Sequence, residues 1–319
     1  MKRPLILFLV LTLTSLACYT TTAPPLSGSE TAPPSTVDPN ITPVSVVSTV
    51  VVQTSPPNPP AATLLYISGT THIESKPQTW PNVDTFLAFL QQVTALGMKW
   101  SVGADIGWLE GEPRAAELIQ ASEALGVQWD VHTHSPQDRA KAAYLITQMG
   151  GHPNSVVSGM LVSEFSSIGP QIYQGFTWTP QVLWGGTNCP GHRPGCDDLA
   201  AGLWIPLNAE QYATHDPNGT LVRVGGGTHQ LDDGRALAQS IANGQYTYPV
   251  ISFTVMVAPS TLQVVGPGVQ IVESGDGIAE IATFVNEMNG YGFVRWATIE
   301  ETAQAWVAAG SVPSRIEME

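Results

Sequence analysis

From Thr63 onwards, short apolar runs alternate along the chain with segments whose apolar residues fall at helical spacing. Strands are predicted near 63–69, 98–104, 127–134, 155–161, 181–185, 221–224, 248–257 and 293–297. Helices are predicted near 82–96, 113–125, 135–150, 232–243, 278–288 and 298–310. The regular order of strand and helix is typical of an α/β protein with a parallel sheet.

A polar residue stands just beyond each of the first four predicted strands. The spacing is 33, 29 and 30 residues, the length of one βα unit, in the series His72, Asp105, His134, Glu164. Parallel strands joined by right-handed crossovers bring their C-terminal ends to one face, where barrel enzymes carry their active sites. We therefore predict a single α/β domain over 63–319, a TIM-like barrel of seven or eight βα units, with these residues on one rim.

The stretch around the third strand end predicts a metal site. Alternate side chains of a strand share a face, so Asp130, His132 and His134 should point the same way. His72 and Glu74 share a face at the first strand end for the same reason. We predict that His72, His132 and His134 bind a divalent metal such as Zn²⁺, with Glu74 or Asp130 as general base. The alternative is a pair of hydrogen-bonded histidines at a strand end.

Further polar and aromatic residues are predicted to contact substrate around this rim. Tryptophans near strand ends can stack their flat rings on sugar faces, whereas core packing is the role expected for most of the other tryptophans. The segment between Cys189 and Cys196 could cover the barrel mouth or serve only as a structural loop. The predicted substrate contacts are Asp105, Trp108, Glu164, His192, Arg193 and Trp296.

The net charge and the cysteine content indicate which classes of partner and which compartment suit this protein. The formal net charge is −14, from 12 Lys and Arg against 26 Asp and Glu. Such a surface disfavours nucleic acid and anionic lipid headgroups, and is compatible with a glycan or another small polar substrate. Cys189 and Cys196, seven residues apart, are predicted to form a disulfide, as expected in an oxidising compartment.

The N-terminal segment predicts a lipoprotein signal over 1–17. Basic residues precede an apolar run at 5–13 that is too short to span a membrane, and Ala17 precedes Cys18, the predicted lipidation site. Ser15 stands where such signals usually have Leu, and an ordinary secretory signal is the alternative. Residues 18–62 are rich in Thr, Ser and Pro and predict a disordered tether. The expected location is the extracytoplasmic face of the cell membrane, held by the lipid anchor.

Two motifs resemble those of the polysaccharide deacetylases, within the glycoside hydrolase/deacetylase superfamily of βα barrels. They are Thr71-His72-Ile73-Glu74 and His132-Thr133-His134-Ser135, and the closing strand and helix at 293–306 also fit. The resemblance covers about 63–310 and implies a (β/α)7-type barrel with a bound metal that removes acetyl groups from N-acetylated sugars. The family has an Asp-Asp pair in the first motif, histidines four apart in the second and a late histidine near 256–258, all of which differ here.

The segment Asp130-Val131-His132-Thr133-His134-Ser135 also resembles the first motif of PHP-type metal phosphoesterases. In that family the motif opens the barrel, whereas two βα units precede it here, and an acidic surface suits phosphorylated substrates poorly. The sequence thus favours an extracytoplasmic, metal-dependent carbohydrate deacetylase-like hydrolase acting on C–N or ester bonds of glycans. A non-catalytic glycan-binding surface lipoprotein on the same barrel is the alternative.

Overall fold

A computed structural model describes residues 62–74, 81–189, 195–225, 230–265, 268–271 and 277–318. The strands are β1 (Leu64–Ile73), β2 (Trp100–Ala104), β3 (Gln128–His132), β4 (Pro153–Ser158), β5 (Gln171–Tyr173), β6 (Phe176–Trp178), β7 (Val182–Trp184), β8 (Leu203–Trp204), β9 (Val222–Val224), β10 (Val250–Met256), β11 (Leu262–Val265), β12 (Gly268–Ile271) and β13 (Val294–Trp296). The helices are α1 (Val83–Ala95), α2 (Ile106–Gly111), α3 (Ala115–Glu123), α4 (Arg139–Gln148), α5 (Leu231–Ala242), α6 (Ile278–Asn289) and α7 (Ile299–Ala308). The predicted signal, the tether with Cys18, and both His192 and Arg193 lie outside the described residues.

The main sheet is a nearly closed barrel organised on β1. Its strand order is β10-β1-β2-β3-β4-β7-β9-β8, and β13 also pairs with β1. All of these pairs are parallel except β8 with β9. The two ends of the sheet are joined where the Gly202 amide donates to the Ser252 carbonyl at 2.9 Å. The predicted TIM-like barrel is therefore confirmed, with its C-terminal strand ends gathered on one rim.

In a parallel sheet, the side chains on both faces of a strand are expected to be buried. The strand β1 fits this expectation, because it is buried at every position from Ile67 to Ile73. Outside the barrel, α1 packs its apolar side, including fully buried Phe86 and Phe89, against the sheet. Among the described residues, no helix is long and apolar enough to cross a membrane.

Gly69 of β1 makes a close approach that no larger residue could make. A methyl group there would overlap the indole ring of Trp100, which is held in place because its Nε1 donates to Thr71 Oγ1 at 3.1 Å. We expect Gly69→Ala to lower the free energy of unfolding by about 1–3 kcal/mol through overpacking. Urea denaturation would measure this loss.

The matched control for Gly69→Ala is Gly111→Ala, because a methyl at Gly111 meets no heavy atom within 4 Å. The control should unfold at the wild-type urea concentration. Equal losses of stability in the two variants would show that the contact with Trp100 is not the cause.

Candidate metal centre

Three side chains converge at the mouth of the barrel. His132 Nε2 lies 2.9 Å from Glu74 Oε1, and His134 Nε2 lies 3.2 Å from each oxygen of the same carboxylate. One ligand atom from each of the three residues lies within 4.8 Å of the others. The His132 side chain is fully buried, whereas those of His134 and Glu74 are 44% and 35% exposed. The group is therefore anchored in the barrel and open to solvent on one side.

The strand register explains why these residues meet. β1 and β3 flank β2, and Gly103 of β2 pairs with His72 on one side and Asp130 on the other. A Cβ atom at Gly103 would lie 2.8 Å from His132 Cβ and 2.9 Å from His72 Cδ2. Because Gly103 has no side chain, the rings of His72 and His132 can pack together over β2, with centroids 4.0 Å apart.

The electrostatics of the three groups favour positive charge between them. Burial acts to raise the pKa of Glu74, but the hydrogen bonds with His132 and His134 outweigh it and hold that pKa well below its ordinary value. The hydrogen bond to Glu74 raises the pKa of His134, and the nearby charge of Asp105 adds to this effect. An ionised carboxylate facing two imidazoles is suited to a cation.

The structure groups Glu74, rather than His72, with the two other histidines. His72 lies beside them, 6% exposed, with its ring on His132 and its edge against Trp184 at a centroid distance of 4.8 Å. The carboxylate of Glu74, predicted as a general base, is therefore the group that lies with the nitrogens of His132 and His134, and His72, predicted as a ligand, is not one of these three.

Asp130 shares a face with His132 but lies deeper in the barrel. It is fully buried, and its Oδ1 accepts a hydrogen bond of 2.5 Å from Asn154 Nδ2. Two residues along a strand correspond to about 6.6 Å, so Asp130 lies one layer below His132, toward the N-terminal strand ends. Burial raises its pKa well above the ordinary value, and the charge of Glu300 acts in the same direction. This position argues against Asp130 as a general base.

The two other carboxylates predicted on the rim have local structural partners. Asp105 begins α2, where its Oδ1 accepts a hydrogen bond of 2.7 Å from the Gly107 amide. Glu164 accepts a hydrogen bond of 2.9 Å from the fully buried Arg139, and its side chain is only 16% exposed. Asp105 still acts on His134 through its charge.

The two predicted tryptophans pack within the protein. Trp108 is 5% exposed, and its ring stacks on Trp129 with centroids 5.9 Å apart. Trp296 donates from Nε1 to Asn289 Oδ1 at 2.7 Å and meets the ring of Phe284 edge-on, so it packs against α6. This packing favours the core role over sugar stacking for both.

A pocket of about 180 Å³ opens beside this group, with Glu74 in its wall. Its lining is His72, Glu74, Gly159, Met160, Trp184, Gly185, Gly186, Thr187, Asp197 and Met256. The sequence did not single out Met160, Trp184 or Met256, which come from loops and strand ends without a polar motif. Trp184 is the aromatic residue that reaches this pocket.

The disulfide predicted from cysteine spacing is present and forms part of the same region. Cys189 and Cys196 are bonded, with Cα atoms 5.7 Å apart. The Asn188 amide donates to the Cys196 carbonyl at 2.8 Å, and Thr187 forms an antiparallel bridge with Asp197. The disulfide thereby helps to hold Asp197 in the pocket wall.

No family model and no curated protein matches this sequence. Among the solved structures that are similar to it are the following two. One is Puue allantoinase, with 12% identity over 81% of this chain and 96% of that chain and a TM-score of 0.48. The other is a probable polysaccharide deacetylase from Pseudomonas aeruginosa PAO1, with 11% identity over 78% and 92% of the two chains and a TM-score of 0.47. The latter bears the name of the group that the two motifs resemble.

Proposed function

We propose that this chain is a metal-dependent hydrolase in which Glu74, His132 and His134 hold a divalent cation, with zinc the best fit. The observation that carries the proposal is the approach of their ligand atoms within 4.8 Å of one another. Two imidazole nitrogens and one carboxylate oxygen form a donor set of catalytic zinc sites, which keep a further position open for water or substrate. Bound zinc would supply an acidified water and polarise a substrate carbonyl.

In the proposed reaction, side chains in the pocket wall transfer the protons. Besides Glu74, the titratable side chains in that wall are those of His72 and Asp197. Both can take up or deliver a proton next to a bound substrate, which is the requirement for general acid–base catalysis. Asp130, enclosed below the site, is left out of this assignment.

The pocket wall supports an acylated glycan as the substrate. Met160, Trp184 and Met256 give one side an apolar surface that suits a compact, uncharged acyl group such as acetyl. The carboxylates of Glu74 and Asp197 disfavour a phosphorylated substrate, so the PHP-type reaction is not preferred. We therefore propose hydrolysis of the C–N or ester bond of an acetylated glycan.

The proposed location is the extracytoplasmic face of the membrane, with a lipid anchor on Cys18. The signal-like sequence at 1–17 and the disulfide between Cys189 and Cys196 both support it, since disulfides persist in oxidising compartments.

Metal removal tests the proposed function directly. We expect the purified chain to contain about one zinc per molecule, because the described part of the chain offers one group of three such ligands. Treatment with a chelator should lower its melting temperature and abolish acetate release from N-acetylated chitooligosaccharide and from 4-nitrophenyl acetate, and added zinc should restore both. A protein without bound metal, whose melting temperature does not respond to chelator or zinc, would contradict the proposal.

Glycan binding without catalysis is a second candidate, favoured by Met256 in the pocket wall where the resembling family has its late histidine. Calorimetric titration with the same chitooligosaccharide distinguishes the two. Full binding by a variant lacking both His132 and His134, together with no acetate release by the wild type, would support this candidate.

A further inference from the structure

We propose that Ser158 is a positioning residue that determines which nitrogen of His132 is free to bind the metal. The inference rests on the proposed metal site. Ser158 Oγ lies 3.0 Å from His132 Nδ1, on the side of the ring opposite the Glu74 contact. Both residues are fully buried, so no solvent molecule competes for that ring nitrogen.

The strand register brings Ser158 to this position. β4 is the neighbour of β3, and His132 and Ser158 are paired directly in the parallel ladder. Ser158 is the last residue of β4, so its side chain lies at the same rim as the ligands.

The faces of the His132 ring are enclosed by neighbours that leave it little freedom. Gly159 has a φ of 72°, and a Cβ there would lie 2.7 Å from His132 Cε1. The ring of His72 lies close on another side, at a centroid distance of 4.0 Å. With the ring plane fixed in this way, Nδ1 stays on Ser158 and Nε2 is the nitrogen that faces Glu74 and the proposed metal site.

A hydroxyl group suits both states that the ring must adopt, because it can donate or accept. In a neutral ring without a cation, Nε2 must carry the proton to bond Glu74, because a carboxylate can only accept, and Nδ1 is then left to accept from the Ser158 hydroxyl. With a cation on Nε2, the proton is carried by Nδ1, which donates to Ser158 Oγ. The net charge of the ring is the same in both states. Metal-bound histidines characteristically donate their second N–H to such a partner.

Ser158→Ala tests this role through zinc affinity. We expect about a 10- to 100-fold weaker zinc affinity, measured by competition with a zinc-binding dye, which is the usual cost of losing an outer partner of a ligand. Ser158→Thr, which retains a hydroxyl, should keep the wild-type affinity. The control is Ser101→Ala. Ser101 is also fully buried, but its Oγ accepts a hydrogen bond from the Ile299 amide and has no contact with a histidine ring nitrogen among the hydrogen bonds described.

Nitrogen-15 NMR of the histidine rings gives a readout that does not require activity. In the wild type, zinc loading should move the His132 proton from Nε2 to Nδ1. In metal-free Ser158→Ala, the Nδ1 resonance should shift toward the value of a nitrogen without a hydrogen bond. A proton on Nδ1 both with and without zinc would overturn the inference without any variant.

The outcomes separate this inference from the proposed function. Zinc affinity in Ser158→Ala equal to that of wild type and of Ser101→Ala would overturn the role of Ser158 while leaving the metal site in place. A wild type that binds no zinc would overturn the proposed function. In that case, an Nδ1 resonance unchanged by Ser158→Ala in the metal-free protein would also refute the hydrogen bond.

Discussion

Replacement of His134 by alanine is expected to weaken zinc binding by about 100- to 1,000-fold and to abolish zinc-dependent hydrolysis. Zinc sites of four ligands contribute on the order of 10–16 kcal/mol, or roughly 2.5–4 kcal/mol per ligand, and each 1.4 kcal/mol is about tenfold in affinity. His134 is the preferred target because its side chain is 44% exposed, so its removal leaves the core intact. Dye competition and an acetate-release assay measure the two effects.

His152→Ala is the matched control for His134→Ala. This histidine also contacts a carboxylate, with Nδ1 2.9 Å from Glu123 Oε2, but it precedes β4 at the N-terminal end of the strands. It should bind zinc with wild-type affinity. The same loss in both variants, or none in either, would show that His134 is not a metal ligand.

Replacement of Asp198 by alanine is expected to lower the free energy of unfolding by about 3–5 kcal/mol, the cost of breaking a buried ion pair from one side. Arg223 is fully buried, with Nη2 3.1 Å from Asp198 Oδ2 and its guanidinium 4.1 Å from the ring centre of Trp204. Burial lowers the pKa of Arg223, and the charge of Asp198 opposes that shift. Without this carboxylate, a buried cation is left without its counter-charge. Urea denaturation would measure the loss.

The control removes an ion pair at the surface. Asp84→Ala deletes a carboxylate that is 74% exposed and contacts Arg114 at 2.8 Å. Exposed ion pairs contribute little to the free energy of unfolding, so the urea midpoint of Asp84→Ala should stay at the wild-type value. A midpoint equally unchanged in Asp198→Ala would mean that the backbone carbonyls of Asp198 and Ala200, which also accept from Arg223, suffice for its charge.

Elements with a strong hydrophobic period were predictable from the sequence. The helix predicted at 82–96 is α1, Val83–Ala95, and the strand predicted at 248–257 contains β10, Val250–Met256. The hairpin of β5 and β6 was not predicted, because strands of three residues are too short to establish a period of two. The same reason applies to β8, which has two residues and lies between the strands predicted at 181–185 and 221–224.

The sequence was enough to predict that the histidines meet at one rim of the barrel. It was not enough to predict the layer of the barrel in which each neighbouring residue lies, or which residues form hydrogen bonds with the histidines. Strand alternation places His72 and Glu74 on one face without saying which of them reaches His134. The end of β1 at Ile73 decides this, because Glu74 lies just beyond the ladder. Alternation likewise places Asp130 beside His132 but cannot show that it lies in a lower layer. Ser158 could not be recognised without knowing that β4 neighbours β3.

The bond between Cys189 and Cys196 has a practical consequence for anyone preparing the protein. It fastens the segment that carries Asp197, while the barrel itself depends on the ladders centred on β1. Protein with both cysteines reduced would keep the barrel, but the segment that carries Asp197 would be held less firmly at one side of the barrel mouth. Batches that differ in oxidation should then differ in how well they bind a ligand in this pocket, so a thiol count belongs beside every binding measurement.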